Sequence, residues 1–206
     1  MRKQGRKAPR RIPAVLTPDE AAQVLGEVEK STSLSALRNL AILRLMLNTG
    51  LRARELRELR VNQIDWATGR FKVRGKGGRE RVMRISGPDI FLLRRWLEAR
   101  DLRLPPSNLG VPPSNLLFTN LNGTKPVCDR WLRRMVKREV SKTGIEKDVH
   151  PHTLRHSFAS NLLRQEKNLF LVAKALGHSD ISTTQIYLHV EDEELEEAMV
   201  RMAMGG

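Results

Sequence analysis

The chain has 206 residues, 40% of them hydrophobic, a single cysteine and a formal net charge of +14. That length suits one domain, or one domain with an extension, and the apolar share is enough for a real core. The lone thiol, Cys128, excludes an intramolecular disulfide and a thiolate-rich zinc site, and no signal peptide or apolar run long enough to span a bilayer is visible. The expectation is a soluble, cytoplasmic protein.

The charge is uneven. Six acids fall in Glu191–Glu197, so residues 1–190 hold 36 basic and 17 acidic side chains, a net of +19. Such a field attracts polyanions in a salt-dependent way. Nucleic acid is favoured over an anionic membrane, which also needs an apolar anchor beside the charge.

Residues 1–16 form a basic arm or linker remnant, with Arg2, Lys3, Arg6, Lys7, Arg10 and Arg11 broken by Pro9 and Pro13. Disorder is expected there unless DNA orders it. Thr17-Pro18-Asp19-Glu20 is a capping-box start, and helical patterns follow at 18–30 and 35–48. Gly50 breaks the second, and a short helix runs over 52–60. The period then shifts to strands at Ile64–Trp66, Arg70–Arg74 and Glu80–Ile85, with a glycine-rich turn at 75–78. A helix is predicted over 88–101, a proline-rich loop over 104–114 and an extended piece around Phe118. Further helices are predicted over 126–142, 152–165, 168–176, 181–188 and 191–203, with Gly144 and Gly177 as stops. The fold class is α+β, mostly helical, with a small antiparallel sheet.

Four clusters carry chemistry. Thr49-Gly50-Leu51-Arg52 puts a guanidinium at a helix N-terminus, where anions bind, and Glu55 lies three residues on to steady it. Gly75-Lys76-Gly77-Gly78-Arg79 sets a lysine on a mobile hairpin; no Ser or Thr follows Lys76, so an ATP loop is disfavoured. His152 and Arg155 share one face of a helix, while Leu154, Phe158 and Leu162 mark its core face. His152 and His156 have zinc-like spacing, but Arg155 between them repels a cation, so no metal is expected. Last, Leu176-Gly177-His178 precedes Tyr187, the only tyrosine, whose phenol could attack phosphorus. His178 lies beyond a helix stop, where its ring is free to turn outward.

Together these clusters resemble the tyrosine recombinase, or phage integrase, family. The resemblance rests on Thr-Gly-Leu-Arg at 49–52 with Glu-Leu at 55–56, Lys76 on its hairpin, and His-x-x-Arg-His at 152–156. Leu-Gly-His at 176–178, Ser-Thr-Thr at 182–184 and Tyr187 complete it, all in the family's order. It covers about 17–200, and the wording of 176–190 is most similar to recombinases that resolve bacterial chromosome dimers.

The resemblance implies a tyrosine recombinase catalytic-domain fold over 17–206, its last helix at 191–203, with no N-terminal core-binding domain in this chain. It implies strand cleavage and rejoining through a 3′-phosphotyrosine, with no cofactor, metal or ATP. Arg52, Lys76, His152, Arg155, His178 and Tyr187 are the implied catalytic set: the arginines clamp the phosphate, Lys76 protonates the leaving oxygen, and His152 helps the proton of Tyr187. Nearby cations are expected to lower the phenol's pKa. Arg79 and the six basic residues of the arm are candidate DNA contacts. The implied partner is double-stranded DNA, bound as a homotetramer on synapsed sites, with a monomer in solution left open. A non-catalytic DNA-binding regulator on the same fold and a type IB topoisomerase-like relaxing enzyme are the alternatives.

Overall fold

The computed structural model describes residues 14–75, 78, 80–103, 115–123, 125–178, 184 and 187. Helix α1 (Pro18–Glu29) begins as its sequence dictates: the Thr17 hydroxyl accepts from the Glu20 amide, the Glu20 carboxylate accepts from the Thr17 amide, and Pro18 fills the first turn. Helix α2 (Leu34–Thr49) is capped by Ser33 and stops at Gly50, which adopts a left-handed φ of 61°. Apolar side chains on nearly every side of α2, among them Ile42, Leu43, Leu45 and Met46, make it the central helix, packed by α1 and by α4 (Gly87–Asp101) and α6 (Pro151–Glu166).

Two of the three buried polar residues of α2, Arg38 and Asn39, are matched to α5 (Asp129–Ser141) and the loop before it; the third, Thr49, donates to the Leu45 carbonyl of its own helix. Asn39 donates to Glu139 Oε1 at 2.8 Å, and Arg38 donates to the Thr119 carbonyl at 3.1 Å while its guanidinium lies 4.2 Å from the centre of the Trp131 ring. Between α3 (Ala53–Glu58) and α4 stands an antiparallel hairpin of β1 (Arg70–Arg74) and β2 (Glu80–Arg84), in the register Phe71↔Met83 and Val73↔Arg81. Strand alternation turns Phe71, Val73, Arg81 and Met83 inward. A smaller apolar cluster of Ala159, Leu163, Val172, Leu176 and Tyr187 joins α6 to α7 (Leu169–Leu176).

Several boundaries differ from expectation for local reasons. The strand expected at 64–66 reduces to one bridge, Ile64↔Phe71, because the Asp65 carboxylate accepts from the amides of Ala67 and Thr68 and the Thr68 hydroxyl, folding a turn. The helix expected at 52–60 ends at Glu58, Leu59 is extended, and a 3₁₀ turn follows at Val61–Gln63. The helix expected from 126 starts at Asp129, since Pro126 is held in a bridge with Thr119. The arm expected over 1–16 is not free at its end: Leu16 is fully buried and its amide donates to Ser157 Oγ at 2.8 Å. Residues 1–13, the loop 104–114, the helix expected at 191–203 and, apart from Thr184 and Tyr187, the helix expected at 181–188 lie outside the described residues. Among the described residues, no helix is long and apolar enough to cross a membrane.

Gly50 is required twice over. Its φ of 61° suits glycine, and a Cβ there would stand 2.3 Å from Phe158 Cδ1. Gly50→Ala should destabilise the protein by roughly 2–4 kcal/mol, combining left-handed strain with overpacking. Equilibrium urea denaturation checks this; a loss under about 1 kcal/mol would contradict the packing.

Candidate active site

Arg155 is the centre of the site. It projects from the inner face of α6, is only 6% exposed, and reaches two helix ends at once. Its Nη1 donates to the Gly50 carbonyl at the end of α2, and its Nη2 donates to the Leu176 carbonyl at the end of α7, each at 2.6 Å. Carbonyls at helix C-termini lack intrahelical donors and carry partial negative charge, so they suit a buried cation. Burial, then Arg52 and Arg81, lower the Arg155 pKa to about 10, which leaves it charged at neutral pH. A guanidinium has five N–H groups, so these two bonds leave donors for a ligand.

Arg52 sits at the N-cap of α3, with 30% of its side chain exposed. Its amide donates to Glu55 Oε2 at 2.7 Å and its Nη1 to Glu55 Oε1 at 2.9 Å. The steadying role expected of Glu55 is therefore present in the geometry. Glu55 also takes a two-pronged ion pair from Arg81, at 2.8 and 2.7 Å. Burial alone would raise the Glu55 pKa, but hydrogen bonds from Arg81 and Arg52 outweigh it and hold the pKa at about 2.

His178 follows the glycine stop of α7. Gly177 has a φ of 65°, and the ring of His178 is held rather than free: Nδ1 lies 2.8 Å from Thr184 Oγ1, and Nε2 lies 3.4 Å from Arg155 Nη2. Arginine cannot accept, so this contact makes Nε2 the acceptor and Nδ1 the donor to Thr184. Burial, then Arg155, Arg52 and Arg81, lower the His178 pKa to about 4, so the ring is neutral at pH 7.

Tyr187 is 1% exposed, and its hydroxyl lies 2.7 Å from His156 Nδ1. In this conformation the phenol's partner is His156 and not His152, the expected proton helper. His156, one turn further along α6, faces the small apolar cluster that holds the phenol, whereas His152 is exposed. Burial, then His152, Arg155 and His150, lower the His156 pKa to about 4, leaving a neutral ring beside the phenol. Burial likewise lowers the His152 pKa, with His150, Arg133, Arg155 and Arg52 adding to it. The phenol's own pKa is pushed up to about 12 by burial, against the pull of Arg155, so the lowering expected from nearby cations is overturned in this conformation.

The structure thus brings together Arg52, Arg155, His178 and, through His156, Tyr187. Lys76, Arg79 and the basic residues Arg2, Lys3, Arg6, Lys7, Arg10 and Arg11 lie outside the described residues. Gly75 and Gly78, which bracket Lys76 in sequence, line a cleft of about 730 Å³ with Arg52, Arg54, Glu55, Glu58 and Arg74. Three features of the site are not evident from the sequence. One is Arg81, whose inward place follows from alternation with Met83. Another is His156 as the phenol's partner. The third is the exposed face of α5, where Arg130, Arg133, Arg134, Lys137 and Arg138 recur at helical spacing. Arg133 is near enough to His152 to lower its pKa, so this basic face adjoins the site.

Glu55 should leave a mark on acid stability. Its folded pKa of about 2 lies below the unfolded value near 4.5, so its contribution is complete above about pH 4.5 and is lost as pH falls toward 2. In Glu55→Gln, that part of the stability–pH curve should flatten, and the now uncompensated Arg81 should cost about 3–5 kcal/mol at pH 7. Denaturation curves from pH 2 to 7 give the answer; parallel wild-type and variant profiles would rule out an ionised, paired Glu55.

Comparison with known proteins agrees with this geometry. The phage integrase family matches residues 14–194. The chain is 33% identical over 189 residues to tyrosine recombinase XerC of Alcanivorax borkumensis, and 40% identical over 190 residues to that of Pseudomonas fluorescens. Each match covers 92% of this chain and 60% of the relative, so the chain spans about three fifths of these proteins. Among solved structures, XerH recombinase in a post-cleavage complex with its difH substrate superposes with a TM-score of 0.80 at 29% identity, over 95% of this chain and 55% of that one. The catalytic domain of bacteriophage HP1 integrase shares the fold at a TM-score of 0.59 and 22% identity, over 91% of this chain and 94% of that one. The fold, the arginine-centred site and the matched span together show that the chain belongs to the phage integrase family, the tyrosine recombinases.

Proposed function

We propose that residues 17–206 are the catalytic domain of a site-specific DNA recombinase that breaks and rejoins strands through a 3′-phosphotyrosine. The observation that carries this reading is the convergence of Arg52, Arg155 and His178 on one site with Tyr187 hydrogen-bonded at its edge to His156. Arg52 and Arg155 would bind the non-bridging oxygens of a phosphodiester and stabilise the charge that grows on them. His178 would donate a hydrogen bond from Nε2 once the phosphate's charge lets that nitrogen take up a proton. His152, exposed near both arginines, would contact the same group.

In the step itself, the Tyr187 oxygen bonds to phosphorus, the P–O5′ bond breaks, and the phenol's proton passes to a base. His152, exposed beside the arginines, is the proposed acceptor once the phenol has moved to them, while His156 holds the phenol at 2.7 Å in the resting conformation. Lys76 would return a proton to the departing 5′-oxygen. Because the ester conserves the bond energy, a second strand's 5′-hydroxyl can reverse the step without ATP or metal. Tyr187 must first leave its apolar cluster, since a buried phenol cannot meet phosphorus. Meeting the arginines then removes the burial that raises its pKa.

Double-stranded DNA is the proposed partner, with a homotetramer on synapsed sites. The basic face of α5 would run along the phosphate backbone beside the site, and the arm at residues 1–13 would extend that contact.

Tyr187→Phe should abolish covalent attachment to a nicked suicide duplex while leaving DNA affinity within about threefold, and Arg52→Ala should slow attachment by about 10²–10³. Gel assays of adduct and of binding separate the two effects. Attachment by the phenylalanine variant, or only a few-fold loss in the alanine variant, would refute the assigned roles. Replacing Arg133 and Arg134 together by Ala should weaken binding equally across DNA sequences and flatten the log–log salt dependence by about 1–2 units. An unchanged slope would remove α5 from the interface.

A further inference from the structure

Arg81 is a charged side chain that the reaction leaves unassigned, yet it is buried among the catalytic groups. Alternation along β2 turns it inward with Met83, opposite Val73 on β1, and only 7% of its side chain is exposed. Its two terminal nitrogens grip both oxygens of Glu55, the same oxygens that hold the amide and Nη1 of Arg52. Glu55 is thus shared: one oxygen takes Nη1 of each arginine, and the other takes Arg81 Nη2 and the Arg52 amide. On its far side, Arg81 underlies the turn that ends α7. A Cβ on Gly177 would stand 3.2 Å from Arg81 Cδ and 3.3 Å from its Nη1. Gly177 directly precedes His178. In sequence, the same strand follows the segment 75–79 that contains Lys76.

A buried guanidinium used only for stability is a poor choice, since a matched apolar pair is often as stable. Here the fork lies between two segments that carry reacting groups, and its planar shape fits both oxygens of one carboxylate. We propose that Arg81 is a positioning residue of the DNA-cleavage site: through Glu55 it fixes the Arg52 guanidinium, and beneath Gly177 it fixes the turn that presents His178. The proposal rests on the strand-cleavage reading above. Arg81 need not touch DNA. It sets where Arg52 and His178 stand, and displacing such groups by about an ångström can cost on the order of 10² in rate.

Arg81→Met keeps the bulk and removes the fork. At saturating protein, its rate of covalent attachment to a nicked suicide duplex should fall by about 10- to 100-fold, while DNA affinity stays within about threefold. Arg81→Lys, which cannot grip both oxygens alike, should recover only part of the rate. In an Arg52→Ala background the further loss from Arg81→Met should shrink to a few-fold, because the group being positioned is gone. A purely structural role would give a loss of the same size in both backgrounds, and that outcome overturns the proposal, as does a wild-type rate in a folded Arg81→Met. The Arg52 side-chain nitrogen NMR signals read positioning without DNA: they should be distinct in wild type and averaged in Arg81→Met. If wild type forms no adduct but these signals still collapse in the variant, the cleavage reading fails and the positioning stands. If the signals are unchanged, the positioning fails.

Discussion

Everything in this site depends on one buried cation bridging two helix ends. Arg155 is held by the last carbonyls of α2 and α7, and those carbonyls are available because both helices stop at left-handed glycines. The arrangement ties three helices to one guanidinium. It also explains why the glycines matter where they stand: Gly50 lets the Phe158 ring lie against the backbone, and Gly177 lets Arg81 pass beneath the turn. A charge this deep is tolerated only when its hydrogen bonds are met. Here two backbone carbonyls meet part of them, and among the described residues no carboxylate hydrogen-bonds Arg155 to compete with an incoming anion.

The second consequence is electrostatic. Among the described residues, Arg52, Arg81 and Arg155 stand around one carboxylate, Glu55. Burial, with the excess of positive charge adding to it, keeps His156 and His178 neutral and depresses His152. A phosphodiester would supply the missing negative charge. At about 4 Å and an effective dielectric near 20, one such charge is worth up to about 4 kcal/mol with each cation. Its arrival would raise the histidine pKa values and draw the arginines onto its oxygens. Until then the phenol is better placed in its apolar cluster, where burial holds its proton on.

Much of this was legible in the sequence. The Thr17–Glu20 box, the glycine stops and the hairpin alternation are local rules, and α1, α2, β1, β2, α6 and α7 obey them. Arg52, Arg155, His178 and Tyr187 could be read because each sits in a short motif with its own reason to be polar. The tertiary pairings were less legible. Whether Tyr187 meets His152 or His156 depends on how the last described residues pack on α6, and both histidines lie on that helix. Arg81 looked like one more cation in a basic chain, and only the closing of β2 against α3 and α7 shows that it is buried. The α5 face was hidden for a different reason: its basic residues are spaced as on any solvated helix, and only its nearness to His152 gives them meaning.

The central claim is that this arginine-centred pocket exists to let Tyr187 attack phosphorus. Mass-spectrometric mapping of the covalent product between the wild-type protein and a nicked duplex tests it most directly. The expected result is a nucleotide joined by its 3′-phosphate to Tyr187, with a free 5′-hydroxyl on the released strand. An adduct on another residue, a 5′-phosphate linkage, or no adduct at saturating DNA binding would contradict it.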